Sequence, residues 1–129
     1  MSVPITAVLA SLLAALFLAL SMRVVKLRRA NKISLGHGGI PELERAIRGQ
    51  ANFCEYAPFF MVLTLIAELQ GVHAVLLGVV ALAFLVGRVM HGYCFAYTDG
   101  RMVLRVRGMQ LTATAIVVMA VLDFVSVVF

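Results

Sequence analysis

The sequence predicts an all-α integral membrane protein that folds as a bundle of four transmembrane helices. Of its 129 residues, 63% are hydrophobic and 13% are charged, whereas roughly a quarter are charged in an ordinary soluble domain. The apolar residues form four long runs separated by turn-forming residues, and the basic residues gather near two of the three turns. A chain of this composition is expected to have lipid rather than water as its main solvent.

The first predicted span covers residues 3–29. Between Val3 and Met22 the chain carries no charged residue, and this run is long enough to cross a hydrocarbon core of about 30 Å. No lysine or arginine precedes Val3, and no small-residue cleavage site follows the run, which argues against a secretory signal peptide. We therefore expect the first helix to be retained.

The other predicted spans begin or end at residues that commonly bound helices. Pro41 is tolerated in the first turn of a helix, and Glu42 and Glu44 complement the dipole at the same helix start. Gly71 and Gly100 allow the tight turns that follow the second and third spans. Together with the first, these spans are expected to form one membrane domain over residues 1–129, and they cover residues 41–70, 72–97 and 103–128.

The basic residues give the predicted bundle an orientation. All 11 lysines and arginines flank the first or the third loop, whereas the termini and the second loop carry none. Because cytoplasmic loops carry an excess of these residues, we expect both basic loops in the cytoplasm and both termini in the periplasm of a bacterial inner membrane. Juxtamembrane bases that meet anionic lipid headgroups also explain the net charge of +5, so no nucleic-acid partner is expected.

A row of polar residues follows one face of the second helix into the membrane. Arg45, Arg48, Asn52 and Glu55 succeed one another at steps of three, four and three residues, which places them along one side of a helix. Such groups are costly in lipid, so they are expected to face the bundle interior or a cavity and to be functional. Structural ion pairs, Arg48 with Glu55 or Arg88 with Glu55, are the alternative interpretation.

Further polar residues are predicted at the same depth on the other helices. Arg88 and His91 share a face of the third helix, and Arg105 and Arg107 approach from the fourth. This end of the bundle holds 11 bases and only four acids, so several arginines have no protein carboxylate to meet. Guanidinium groups bind carboxylates through paired hydrogen bonds, so a peptide-like zwitterion with excess carboxylate fits, its ammonium or amide group facing Glu55.

The second-helix sequence closely resembles a known family signature. Residues 44–59, ERAIRGQANFCEYAPF, resemble the second helix of the MAPEG family, the membrane-associated proteins of eicosanoid and glutathione metabolism, and look nearest to its leukotriene synthase version. Residues 87–91, GRVMH, are similar to the third-helix motif of the prostaglandin synthase branch, and residues 28–30 end the first helix in a similar way. The resemblance covers nearly the whole chain, which looks like a bacterial-type microsomal glutathione S-transferase.

The resemblance implies a homotrimer that binds glutathione between neighbouring subunits on the cytoplasmic side. It implies that Arg107, with Arg105 as second choice, stabilises the glutathione thiolate, because a nearby guanidinium lowers the pKa of a thiol. The implied activity is a detoxifying glutathione transferase or peroxidase that acts on lipophilic electrophiles or hydroperoxides. By position, the resemblance assigns the peptide part of glutathione to Arg48, Asn52, Glu55 and Tyr56, with Gln50 and Arg28 as further candidates. His91 falls where the family has another polar contact, with a packing role as the alternative, and Arg88 matches a family arginine that is either structural or ligating.

Several positions depart from the family pattern. Phe95 stands where several relatives have a tyrosine, so a hydroxyl group is missing unless Tyr93 or Tyr97 supplies it. Ala51 and Gly108 replace an arginine and a serine of the prostaglandin branch. The resemblance therefore does not imply synthesis of prostaglandins or leukotrienes.

Three other functions are compared with a glutathione enzyme: a metal-binding protein, a small multidrug transporter and a subunit without catalytic activity. The histidines lie in different segments and the cysteine spacing matches no metal site, so no metal is expected. Small multidrug transporters have a similar length and helix number, but their essential carboxylate lies in the first helix, where this chain has none. A subunit that keeps the bundle without catalytic activity stays open as an alternative.

Overall fold

The computed structural model describes residues 2–128, which form four helices. Each helix is long and apolar enough to cross a membrane, so the predicted all-α fold with four spans is confirmed. The helix ends fall within two residues of the predicted spans. The helices are α1 (Pro4–Asn31), α2 (Pro41–Leu69), α3 (Ala74–Tyr97) and α4 (Met102–Val128).

Helices α2 and α3 form the middle of the bundle. Helix α1 packs against α2 and α3, α4 packs against the same two, and α1 and α4 do not contact each other within the described residues. The rings of Phe60 on α2 and Phe84 on α3 are both fully buried and stack with their centroids 3.8 Å apart. The apolar core therefore lies between the two central helices, with α1 and α4 on its flanks.

The polar contacts at the two ends of the bundle are different. At the end with the basic loops, Arg23 pairs with Glu42, and Arg45 Nη2 lies 3.1 Å from Asp99 Oδ1. At the opposite end, the Ser126 hydroxyl donates to Gln70 Oε1 at 2.7 Å. The helices therefore alternate in direction, and both basic loops meet at one end, called here the basic end.

Glu68 caps the start of α1 from a distance. The backbone N–H groups of Ile5 and Thr6 donate to its two carboxylate oxygens at 2.8 and 2.7 Å. No side chain next to α1 caps this helix, whose first position is Pro4. A carboxylate at this place satisfies N–H groups that would otherwise lack a partner and complements the positive end of the helix dipole. In the sequence, Glu68 is only a charge that interrupts an apolar run.

Replacing Glu68 by glutamine is expected to lower the free energy of unfolding by about 1 kcal/mol, because a neutral amide offers only one oxygen to two N–H donors. Unfolding in mixed detergent micelles, followed by circular dichroism, measures this loss. Glu55→Gln removes an exposed carboxylate in the middle of α2 for which no hydrogen bond or ion pair is found among the described residues, so it serves as the control. Equal losses in both variants would show that the cap at α1 is not the cause.

Candidate functional site

A cleft of about 180 Å³ opens between α2, α3 and α4 near the basic end. Each of the three helices contributes at least one polar side chain to the lining. Helices α3 and α4 each add an apolar side chain, so the cleft is amphipathic. Its lining residues are Arg48, Asn52, His91, Phe95, Arg105 and Met109. Four of the residues expected to bind a ligand, those at positions 48, 52, 91 and 105, are thus brought together in one chain.

The buried guanidinium of Arg88 joins the three helices behind the cleft. With a side chain that is 1% exposed, Arg88 donates to Thr112 Oγ1 at 2.9 Å, Asn52 Oδ1 at 2.8 Å and Met109 Sδ at 3.2 Å. Its charge also lies 5.3 Å from the centre of the Tyr56 ring. Arg88 is therefore satisfied by neutral acceptors and an aromatic face, and it does not line the cleft.

Arg88 also determines how Asn52 is oriented. A guanidinium has only N–H donors, so the atom of the Asn52 amide that faces it must be the oxygen. The NH₂ group of Asn52 is then left to donate to a ligand. Arg88 and Asn52, both expected to bind a ligand, therefore have different roles. Arg88 orients the Asn52 amide, and Asn52 lines the cleft.

The crossing of α3 and α4 depends on a contact between two glycines. A Cβ atom at Gly87 would lie 2.8 Å from the carbonyl oxygen of Gly108, and one at Gly108 would lie 2.9 Å from that of Gly87. Only glycine allows the backbones to approach so closely. This approach brings Arg105 and Met109 of α4 beside the third-helix residues of the cleft. Gly108, noted in the sequence as a departure from a family serine, thus has a structural reason.

Phe95 forms an aromatic wall of the cleft. Its ring lies 4.7 Å from the His91 ring at an angle of 26°, and the Arg105 guanidinium lies 5.4 Å from its centre. Gly49 leaves room for it, because a Cβ there would lie 2.7 Å from Phe95 Cβ. The position where relatives have a tyrosine therefore contributes a stacking surface and no hydroxyl group.

Neither Tyr93 nor Tyr97 replaces the missing hydroxyl group within the cleft. Both side chains are exposed, neither lines the cleft, and Arg23 lies over the Tyr97 ring. Their positions two residues before and after Phe95 place them on the opposite side of α3. Within a single chain, neither tyrosine therefore supplies the hydroxyl group that Phe95 lacks.

The cleft carries unbalanced positive charge. Arg48 and Arg105 both line it, and within residues 2–128 the ion pairs formed are Arg23 with Glu42 and Arg45 with Asp99. Glu55 is exposed and pairs with neither Arg48 nor Arg88. Within the described residues, the pairs Arg48–Glu55 and Arg88–Glu55 are therefore not formed, whereas Arg45 of the same row does pair with Asp99. The two arginines left in the cleft are suited to an anion.

Two of the expected residues lie beside the cleft without lining it. Glu55 and Arg107 are both exposed. Arg107 follows Arg105 by two residues, so it points about 200° away around α4. Within one chain, Arg105 and not Arg107 reaches the cleft.

Two more expected residues lie on the side of α1. Gln50 Nε2 donates to Ser21 Oγ at 2.9 Å, and Arg28 Nη1 donates to the Gly36 carbonyl at 2.8 Å. Because Gln50 follows Arg48 by two residues, the two side chains leave α2 on opposite sides. A single copy of the chain therefore does not present all of the expected residues to one ligand.

Comparison with known proteins finds similar membrane proteins. The model of the MAPEG family matches residues 6–125. The chain is 36% identical over 115 residues to the inner membrane protein YecN of Escherichia coli K12, a match that covers 89% of this chain and 86% of that protein. YecN of Escherichia coli O6:H1 strain CFT073 matches to the same extent. The name of these relatives states a location and no reaction.

Proposed function

Because the chain belongs to the MAPEG family, we propose that it is a membrane enzyme that binds glutathione in this cleft and activates the thiol as a thiolate. The observation that carries the proposal is the pair of guanidinium groups of Arg48 and Arg105, which face the cleft without a carboxylate partner among the described residues. An anionic ligand that supplies carboxylate and thiolate groups would balance both charges.

The cleft residues match the groups of glutathione. Arg48 and Asn52 lie one turn apart on α2, so a guanidinium and an amide NH₂ are available for a carboxylate and for the peptide oxygens. His91 offers a further polar group from α3. These residues are proposed to hold the peptide part of the ligand.

Arg105 is proposed to hold the thiolate. Its guanidinium lies 5.4 Å from the centre of the Phe95 ring, which orients it at the cleft. The family resemblance ranks Arg107 before Arg105 for this role. We propose the reverse order, because Arg107 does not line the cleft. A thiolate held here attacks a lipophilic electrophile, forming an S–C bond as the carbon–leaving group bond breaks and the leaving group departs as an anion. With a hydroperoxide, the thiolate attacks the terminal oxygen, the O–O bond breaks and, with one proton, an alcohol and a glutathione sulfenic acid form. A second glutathione then converts the sulfenic acid to the disulfide and water.

A homotrimer would complete the site. The cleft of one chain, about 180 Å³, is smaller than the roughly 300 Å³ at which ligand pockets begin. Gln50 and Arg28 face away from it, so a neighbouring copy is needed to bring them to the same ligand. The exposed Glu55 is proposed to meet the ammonium group of glutathione at this boundary.

We infer the location from the relatives and from the charge pattern. YecN is named as an inner membrane protein, which supports the same membrane for this chain. The positive-inside rule then places the basic end, with the cleft, in the cytoplasm and both termini in the periplasm. The cytoplasm is also where an intracellular thiol is available to the cleft.

Titration of the detergent-purified protein with glutathione tests the proposal by calorimetry, with ultraviolet absorbance reporting the thiolate. We expect saturable binding with a thiolate signal, and at least about tenfold weaker binding in Arg48→Ala, since a hydrogen bond to a charged group contributes about 1.5–3 kcal/mol. S-methylglutathione should bind without a thiolate signal.

Arg101→Ala is the matched control for Arg48→Ala, because Arg101 belongs to the basic end and does not line the cleft. Its affinity for glutathione should stay within about twofold of the unmodified protein. An absence of binding at millimolar glutathione would reject the proposal and favour a subunit without catalytic activity.

A further inference from the structure

A second basic surface lies on the outside of α1, away from the cleft. It is a groove of about 340 Å³ lined by the last turns of α1 and the start of the following loop, called here the α1 groove. No residue of this groove lines the cleft between α2, α3 and α4. Its lining residues are Val25, Arg28, Arg29, Lys32, Ile33 and Ser34.

The α1 groove contains cations without a protein partner. The chain has no acidic residue before Glu42, and Glu42 pairs with Arg23. Arg28 donates to the Gly36 carbonyl, but within residues 2–128 the side chains of Arg29 and Lys32 form neither a hydrogen bond nor an ion pair. The groove therefore presents two unbalanced positive charges at the point where α1 leaves the membrane.

The backbone at Lys32 has a conformation that glycine or asparagine usually adopts at a helix end. Lys32, the residue that follows α1, has φ 55°, and it is the one residue other than glycine with positive φ in the described part of the chain. The N–H groups of Lys32 and Ile33 donate to the carbonyls of Arg29 and Arg28, a C-terminal motif that normally contains glycine or asparagine. The nearby loop uses glycine where φ is positive, whereas this position carries a lysine.

An exposed apolar stripe leads from the membrane interior to the α1 groove. Leu18, Met22, Val25 and Arg29 follow one another at steps of four, three and four residues, so they lie on one face of α1. Leu18 is 61% and Met22 50% exposed. Cations at the membrane interface thus lie directly above an apolar surface suited to an acyl chain.

We propose that the α1 groove binds an anionic phospholipid. Its phosphodiester accepts hydrogen bonds from Arg29 and Lys32, and one acyl chain runs along Leu18 and Met22. Charge complementarity selects an anionic headgroup over a zwitterionic one, because the groove has no acid to meet an ammonium group. The apolar stripe selects a lipid over a free phosphate ion. Arg28 lines this groove and is also assigned to glutathione, so the contacts to the lipid are placed on Arg29 and Lys32 alone.

Native mass spectrometry of the full chain, released from detergent micelles, tests the proposal with phosphatidylglycerol and phosphatidylcholine of identical acyl chains. We expect phosphatidylglycerol to be retained about tenfold more strongly. Arg29→Gln/Lys32→Gln should remove this preference. Lys26→Gln/Arg101→Gln, which deletes the same charge at the same end but outside the groove, should keep it within about twofold.

Two further measurements distinguish a lipid site from a diffuse attraction by charge and from a site for phosphate alone. Lys32→Gly relieves the backbone strain, so it should fold at least as well as the unmodified protein and still lose most of the preference for phosphatidylglycerol. Glycerol phosphate should not displace the lipid at equal concentration. Equal losses in both double variants would show a diffuse charge effect, and displacement by glycerol phosphate would show a site for phosphate alone. Either result would overturn the proposal.

Discussion

Arg105→Ala is expected to abolish the thiolate signal of bound glutathione and to slow turnover about 100-fold to 1,000-fold, the cost of removing one electrostatic stabiliser from an active site. A guanidinium lowers the pKa of a nearby thiol, so its loss raises that pKa and moves formation of the thiolate to higher pH. Ultraviolet absorbance of the complex as a function of pH measures the shift. Affinity should fall less than turnover, because Arg48 and Asn52 remain in place.

Three variants separate this role from a general charge effect. Arg101→Ala removes a positive charge from the same end of the protein outside the cleft and should leave the pH profile unchanged. Arg105→Lys keeps a charge but loses the planar group that lies over Phe95, so it should recover only part of the thiolate signal. Loss of the signal in Arg107→Ala, with Arg105→Ala unaffected, would contradict the assignment and favour an arginine supplied by a neighbouring subunit.

The fold was largely predictable because each helix follows from local sequence. Four apolar runs of sufficient length, bounded by proline and glycine, match the four observed helices. The function of Glu68 was not predictable in this way. It depends on the start of α1 lying beside the end of α2, a contact between residues more than 60 positions apart. A charge in an apolar run shows that a partner is needed, but not which one.

Part of the candidate site was also predictable, because spacing along one helix determines which residues share a face. Spacing on one helix places Arg48 and Asn52 on a common face, and the structure puts both in the cleft. The choice between Arg105 and Arg107 depends on how α4 is rotated against α3. Gly108, Thr112 and Ala115, buried at steps of four and three residues, mark the contact face of α4. This pattern is present in the sequence and could have favoured Arg105.

Gly108→Ala is expected to destabilise the bundle and to disturb the cleft. The added Cβ would lie 2.9 Å from the Gly87 carbonyl oxygen, 3.0 Å from the backbone nitrogen of His91 and 3.2 Å from His91 Cβ. Backbone atoms cannot turn aside, so α4 must move away from α3, and Arg88 then loses its hydrogen bond to Thr112. Overpacking of this kind costs about 1–3 kcal/mol.

Gly78→Ala is the matched control, because Gly78 lies within α3 and a Cβ there meets no atom within 4 Å. Both substitutions gain about 1 kcal/mol from the higher helix propensity of alanine, so the two variants should differ in unfolding free energy by the overpacking cost, about 1–3 kcal/mol. Titration with denaturing detergent in mixed micelles measures the difference. Similar stabilities would mean that α3 and α4 can separate without cost, and that the glycine contact does not hold Arg105 against the cleft.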